Sequence, residues 1–255
     1  MKTELGLAGT VVLVTGGVRG VGRGIADVFL AHGARVVVCA RREAPTSAEF
    51  VACDVRDETQ VVALVDGIVE RHGRLDVVVN NAGGAPFVSA ADASPRLHEK
   101  IVQLNLLAPL LVAQHANAVM QCQDSGGSIV MISSVSGTRP SPGTAAYGAA
   151  KAGLDNLTAS LAVEWAPKVR VNALDVGMVR TEQAHLHYGS EAAVEAVGKT
   201  VPLGRLAEPE EVGHCAAFLA SGLASYVSGA TLRVHGGGEV PAFLAAADVN
   251  HREDS

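Results

Sequence analysis

The stretch Ser128 to Lys151, SIVMISSVSGTRPSPGTAAYGAAK, places a hydroxyl, a phenol and an amine at spacings that can do chemistry. Tyr147 and Lys151 are four residues apart, so on a helix they share one face. A phenol titrates near 10 and is a poor base at neutral pH. An ammonium about 4 Å away, at an effective dielectric near 20, attracts the phenolate by roughly 4 kcal/mol before desolvation is subtracted. At about 1.36 kcal/mol per pKa unit, that lowers the phenol by up to roughly three units, towards the range where general acid–base catalysis works best. A serine at the end of the preceding apolar run, Ser134 or Ser133, can both donate and accept, and so hold a reacting oxygen. Such a trio performs proton transfer to or from an alcohol or carbonyl oxygen.

The elements around these residues must bring them together. Ser128 to Ser134 is short, β-branched and bounded by glycines, as a buried strand is. Pro140, Pro142 and Gly143 impose an irregular loop, and the Ala- and Leu-rich run Ala145 to Trp165 is helical until Pro167 stops it. Upstream, the strand Thr10 to Thr15 leads into a turn of spacing G-x-x-x-G-x-G at Gly16, Gly20 and Gly22, with a helix over Ile25 to His32. A glycine turn at a helix amino terminus lets backbone N–H groups approach a pyrophosphate.

The second strand, Ala34 to Ala40, ends in Arg41-Arg42 with no acid before Glu43, and Arg19 projects from the glycine turn. A carboxylate there would bind an adenine ribose hydroxyl, whereas arginines accommodate a 2′-phosphate, so NADP(H) is favoured, with NAD(H) as the alternative. A third strand, Phe50 to Cys53, ends in Asp54-Val55, and only Arg42 to Glu49 precede it, too few for a crossover helix. An amphipathic helix spans Glu58 to His72, and a fourth strand, Asp76 to Val79, runs into Asn80-Asn81-Ala82-Gly83-Gly84. A long helix over about Ser94 to Gln121 carries Asn105 mid-length, where asparagine is a poor helix former and signals a hydrogen-bonding task. A sixth strand over Lys168 to Leu174, a lid-like helical segment over Glu182 to Lys199, a helix opened by Glu208-Pro209 and a strand over Ala230 to Val234 complete the pattern. Such alternation predicts an α/β fold with a mostly parallel, doubly wound sheet of about seven strands and helices on both faces.

The chain has 255 residues, 48% of them hydrophobic, long enough for one substantial domain over residues 1–247, with residues 248–255 expected to be a disordered tail. A net charge of −6 without a basic block argues against a nucleic-acid partner and points to a small molecule. No apolar run approaches membrane-spanning length and Met1 to Gly9 lacks a signal-peptide pattern, so a cytoplasmic protein without a membrane partner is expected. Cys39, Cys53, Cys122 and Cys215 show neither CxxC pairing nor metal spacing and read as reduced core thiols, with no metal site.

Taken together, the Thr15 to Gly22 turn, Asp54-Val55, Asn80 to Gly83, Asn105, Ser134, Tyr147 and Lys151 resemble the short-chain dehydrogenase/reductase family, in family order and over nearly the whole chain. The resemblance implies a Rossmann-type domain in which Tyr147 is the acid/base, Lys151 lowers its pKa and binds the nicotinamide ribose, Ser134 polarises the substrate oxygen and Asn105 holds a relay water. It prefers Ser134 over Ser133 by its distance from Tyr147. It further implies cofactor contacts at Gly16, Arg19, Gly20, Val21, Gly22, Arg41, Asp54, Val55, Asn80, Ala82, Gly83, Val179 and Thr181, and a homotetramer or dimer built by the helices around Ser94 to Gln121 and Ala145 to Trp165 and the closing strand. Val176 and His235 stand where the family usually has proline and aspartate, and the helix between the second and third strands is missing. The implied activity is hydride exchange with a secondary alcohol or ketone. Apolar residues in the lid (Leu186, Tyr188, Ala192, Ala193, Val194, Val197) and in Val240 to Ala247 favour a bulky steroid-like or fatty-acyl-like substrate. A 3-oxoacyl thioester reductase and a non-catalytic cofactor-binding sensor are the alternatives.

Overall fold

In chain order, the computed structural model, which describes residues 5–247, shows β1 (Val11–Thr15), α1 (Gly20–Ala31), β2 (Arg35–Ala40), β3 (Glu49–Ala52), α2 (Glu58–His72), β4 (Val77–Asn80) and α3 (Pro95–Val102). A π-helical turn (Gln103–Leu107) then joins α3 to α4 (Ala108–Cys122), followed by β5 (Gly127–Ser134), α5 (Ala145–Glu164) and β6 (Val169–Val176). The short helices α6 (Ala184–Tyr188) and α7 (Glu191–Gly198) precede α8 (Pro209–Ala220), β7 (Thr231–Val234) and α9 (Ala242–Ala246). The expected tail at 248–255 lies outside the described residues.

All seven strands pair in parallel in the order β3-β2-β1-β4-β5-β6-β7. The inner strands are apolar on both faces because helices cover both. Val11, Leu13, Val78, Ile129, Met131 and Val171 pack against α2, α4 and α5, while Val12, Val14, Val79, Val130 and Leu174 pack against α1 and α8. Both cores hold the carboxyl ends of β1, β4, β5 and β6 in one row. Helix α1 lies tight on α8 because glycine faces it: a Cβ on Gly24 would stand 2.4 Å from the Pro209 Cβ, and one on Gly213 would stand 2.8 Å from Val28. That approach seats the start of α1 beside the sheet edge.

Local signals explain the helix ends. Asp57 caps α2 by accepting from Gln60 N–H, and left-handed Gly73 closes it; Ser94 caps α3 ahead of Pro95. Helix α8 opens with Pro209 and a reciprocal Glu208–Glu211 capping box. Between β2 and β3, residues 41–48 form the expected bare loop, and Ala44 and Ala48 pack onto the α1-side core where a helix would otherwise sit.

Two expectations need correction. The helix expected over Ser94 to Gln121 is interrupted by the π turn at Gln103–Leu107, where the Asn105 side chain bonds both back to the Ile101 carbonyl and across to Gly84. The lid is two helices, because Gly189 (φ 87°) turns the chain out of α6 and Ser190 caps α7 afresh.

Candidate active site

Alternation along β5 separates the two candidate serines. Ser133, 2% exposed, points at α5 and donates to the Lys151 carbonyl at 3.3 Å. Ser134 points the other way, towards Tyr147, whose phenol it pulls down; its Oγ accepts from Ser136 N–H at 3.2 Å. Helix α5 starts directly after the Pro-containing loop, so Tyr147 occupies its first turn and Lys151 the next. Lys151 Nζ lies 5.5 Å from the Tyr147 ring centroid and donates to the Ile132 carbonyl at 2.7 Å.

The expected lowering of the phenol by its lysine is not what the structure shows. Burial pushes Tyr147 above its ordinary value, the Ser134 hydrogen bond pulls it down, and the Asp175 carboxylate pushes it up again. Burial also lowers the Lys151 ammonium from 10.5 to about 8 against the pull of Asp155, which still leaves it protonated at neutral pH. The Lys151 ammonium, whose Nζ donates to the Ile132 carbonyl, does not offset the desolvation of the phenol.

Behind this row stand two acids that no motif marked. Asp175 is fully buried, accepts from Thr138 Oγ1 at 3.4 Å and lies 3.8 Å from Arg233 Nε; Asp155 is part-buried. Burial raises the carboxyls of both. The available signal was an acid inside a central strand, at Asp175, and one a helical turn after a buried lysine, at Asp155.

Asn105 is fully buried, and its side chain is heavily used: Oδ1 accepts from Gly84 N–H at 2.8 Å, and Nδ2 donates to the Gly84 and Ile101 carbonyls at 2.9 Å each. A Cβ on Gly83 would lie 2.8 Å from Asn105 Oδ1 and 3.5 Å from Lys151 Nζ, so Asn105, Gly83 and Lys151 meet at one point.

The glycine turn is clamped from β4. Thr15 Oγ1 accepts from the Asn81 and Ala82 N–H groups at 2.9 and 3.0 Å, and Asn81 Nδ2 donates to the Thr15 carbonyl at 2.9 Å and the Gly16 carbonyl at 3.3 Å. Thr15 and Asn81 therefore hold the turn in place, a role the paired asparagines after a strand hinted at. Asn80 turns inward, 2% exposed, and donates to the Pro109 carbonyl at 3.2 Å. Gly16 and Gly20 have φ of 66° and 52°, which only glycine adopts without strain. The Gly20 N–H points at a carboxylate, with Glu182 Oε1 and Oε2 each at 3.2 Å. This amide therefore takes an anionic oxygen, and the turn fits a dinucleotide's pyrophosphate.

At the far end of β2, the Arg19 and Arg41 guanidinium groups are exposed, with no hydrogen bond or ion pair among the described residues. Asp54 is held bidentately by Arg56, at 2.9 and 2.6 Å, which keeps its carboxyl below the usual range, and Val55 is buried in the core. Val21 begins α1 and packs on the α1-side core, and Ala82 packs on the opposite one. Val179 is bridged to Ala207, and Thr181 Cγ2 lies 3.4 Å from where a Gly20 Cβ would be. The expected cofactor positions therefore divide: Arg19, Gly20, Arg41, Asp54 and Thr181 are exposed or half-buried, whereas Val55 and Asn80 are buried.

A cavity of about 230 Å³ opens beside Val135 and is lined by Thr138, Arg139, Met178, Arg233, His235 and Glu239. Arg139 pairs with Glu239 at 2.7 Å, and both act electrostatically on Tyr188 of α6. The lid supplies less apolar surface than expected: Val194 and Ala184 are buried in its own small core with Met178 and Leu206, whereas Leu186 and Phe243 remain exposed. A larger groove of about 510 Å³ between α2 and α4 touches no predicted site residue.

Comparison with known proteins agrees with this geometry. A family profile described as enoyl-(acyl carrier protein) reductase matches residues 16–239. The chain is 37% identical over 244 residues to an uncharacterized short-chain type dehydrogenase/reductase of Sinorhizobium fredii, covering 90% of this chain but 43% of that protein, so it spans less than half of that relative's length. It is 34% identical over 247 residues to a 3alpha-hydroxysteroid dehydrogenase of Mediterraneibacter gnavus, covering 90% of this chain and 97% of that one. The solved structure of Thermoplasma acidophilum aldohexose dehydrogenase, in ligand-free form, superposes with a TM-score of 0.86 at 32% identity, over 91% of this chain and 94% of its own.

Proposed function

Since the chain belongs to the short-chain dehydrogenase/reductase family, we propose that it is an NAD(P)(H)-dependent oxidoreductase that exchanges hydride with a secondary alcohol or ketone. The observation that carries this reading is the meeting of Ser134, Tyr147 and Lys151 at the sheet edge, together with a glycine turn whose Gly20 N–H donates to a carboxylate. The dinucleotide would lie with its pyrophosphate at Gly16, Gly20 and Gly22, its adenine near Asp54 and Val55, and its nicotinamide near Val179, Thr181 and Lys151; it supplies or accepts the hydride. Ser134 donates to the substrate oxygen, and Tyr147 gives it a proton in reduction or takes one in oxidation. A phenol held above its ordinary value is protonated at neutral pH, which suits the acid role.

Unpaired Arg19 and Arg41 support NADP(H) as the preferred cofactor. For substrate, exposed Leu186 and Phe243 and the hydroxysteroid-acting relative support a bulky apolar hydroxy or keto compound. The charged rim of Arg139, Arg233 and Glu239, together with the aldohexose-acting neighbour, supports a polar substrate as the second reading. Assembly as a dimer or tetramer is supported by exposed Val163 on α5 and by Leu232 on the open edge of β7.

Tyr147→Phe is expected to lower kcat by about 10²-fold or more while leaving the Kd for NADPH within about twofold. Full turnover in that variant would remove the assignment. A panel of ketones and alcohols of graded polarity decides the substrate class, and Arg41→Asp is expected to shift preference from NADPH towards NADH. Light scattering at the monomer mass of 26.1 kDa would contradict the assembly.

A further inference from the structure

Glu182 comes from the loop after β6, yet both its carboxylate oxygens accept from Gly20 N–H, 162 positions away, at the amino terminus of α1. This is the anion seat of the glycine turn, where unsatisfied N–H groups and the helix dipole favour negative charge. We propose that Glu182 is a built-in competitor for the pyrophosphate of the dinucleotide, so that cofactor binding must break this contact and release the segment that carries the substrate roof. The inference rests on the reading of that turn as a dinucleotide site.

The contact has the right neighbours for a latch. On one side the chain is anchored, since Arg180 N–H donates to the Ala207 carbonyl at 2.8 Å and Ala207 N–H donates to the Met178 carbonyl at 3.0 Å. Thr181, adjacent, lies against Gly20, where a Cβ would meet its Cγ2 at 3.4 Å. On the other side α6 begins within two residues and ends at Tyr188, which senses Arg139 and Glu239 at the substrate cavity. Because α6 is a single short helix whose two ends, Ala184 and Tyr188, pack on one small cluster, displacement of Glu182 is transmitted along it to Tyr188. A pyrophosphate and a carboxylate cannot share one N–H at close range without like-charge repulsion. The free protein therefore keeps residues 181–188 over the turn, and the substrate pocket takes its working shape only after the dinucleotide has entered.

The test compares wild type, Glu182→Gln and Glu182→Ala by fluorescence titration with NADPH and NADH and by competition with ADP-ribose. Hydrogen exchange of the Gly20 amide is followed in the free protein. Glu195→Gln makes the same charge change on an exposed lid position without a side-chain partner among the described residues and serves as control. Loss of the latch is expected to tighten Kd about two- to fivefold, more for alanine than for glutamine, and to speed Gly20 exchange. The control is expected to leave both unchanged. Unchanged or weaker binding in both Glu182 variants, with wild type still binding dinucleotide, overturns the latch alone. Equal tightening in the control also overturns it, by exposing a general charge effect. Wild type that binds neither NADPH nor NADH overturns the dinucleotide reading itself.

Discussion

Replacing Lys151 by methionine is expected to make the protein more stable at neutral pH while disabling it. Lys151 is 3% exposed, and its ammonium is lowered from 10.5 to about 8 by burial. At about 1.36 kcal/mol per pH unit, folding with that charge inside costs about 3 kcal/mol. Methionine matches the length of the stem without the charge, but it leaves the Ile132 carbonyl without the 2.7 Å bond that Nζ donates. That loss costs about 1–2 kcal/mol, so the net gain is about 1–2 kcal/mol at pH 7, or roughly 2–8 °C in Tm for a chain of this size. The gain depends on pH in a defined direction. Below about 8 both folded and unfolded lysine are protonated, and the full cost is present. Between about 8 and 10.5 the folded lysine loses its proton first and the cost fades; above that, only the missing carbonyl bond remains and the variant becomes the less stable of the two. Thermal melts of both proteins at equal concentration from pH 6 to 11 measure this. A variant less stable at pH 7, or a gain that does not change with pH, would refute the reasoning.

Other expectations follow from the same geometry. Asn81→Ala removes the bonds to the Thr15 and Gly16 carbonyls and is expected to weaken dinucleotide binding roughly fivefold; a lower Tm with unchanged Kd would show that the clamp serves only stability. Arg205 and the Glu208 N–H hold the Glu211 carboxyl at about 2 instead of 4.5, so its stabilisation is complete above 4.5 and lost as pH falls through about 2. Glu211→Gln is accordingly expected to lower Tm by roughly 1–3 °C at pH 7, with the gap closing in acid; a gap that widens in acid contradicts the role of the capping box.

How far these features were legible in the sequence depended on the range of the interaction behind them. Strand and helix positions along the sheet follow from periodicity and punctuation, which are local: Gly73, Pro95, Pro209 and the apolar runs mark their own ends. Tyr147 and Lys151 share a face because helix geometry spaces them, and the bare loop after β2 follows from its length. The breaks escaped: Asn105 sits in a π turn and bonds to Gly84, 21 positions away, and Val194 turns into the lid's own core.

What the residue order determined was therefore the parallel α/β plan and the shared helix face of Tyr147 and Lys151, both products of short-range rules. Only the tertiary structure decided which serine faces the phenol, that burial outweighs the lysine charge, and that Glu182 sits on the Gly20 amide. Each of these depends on desolvation or on contacts between segments far apart in the chain, and neither has a local signature.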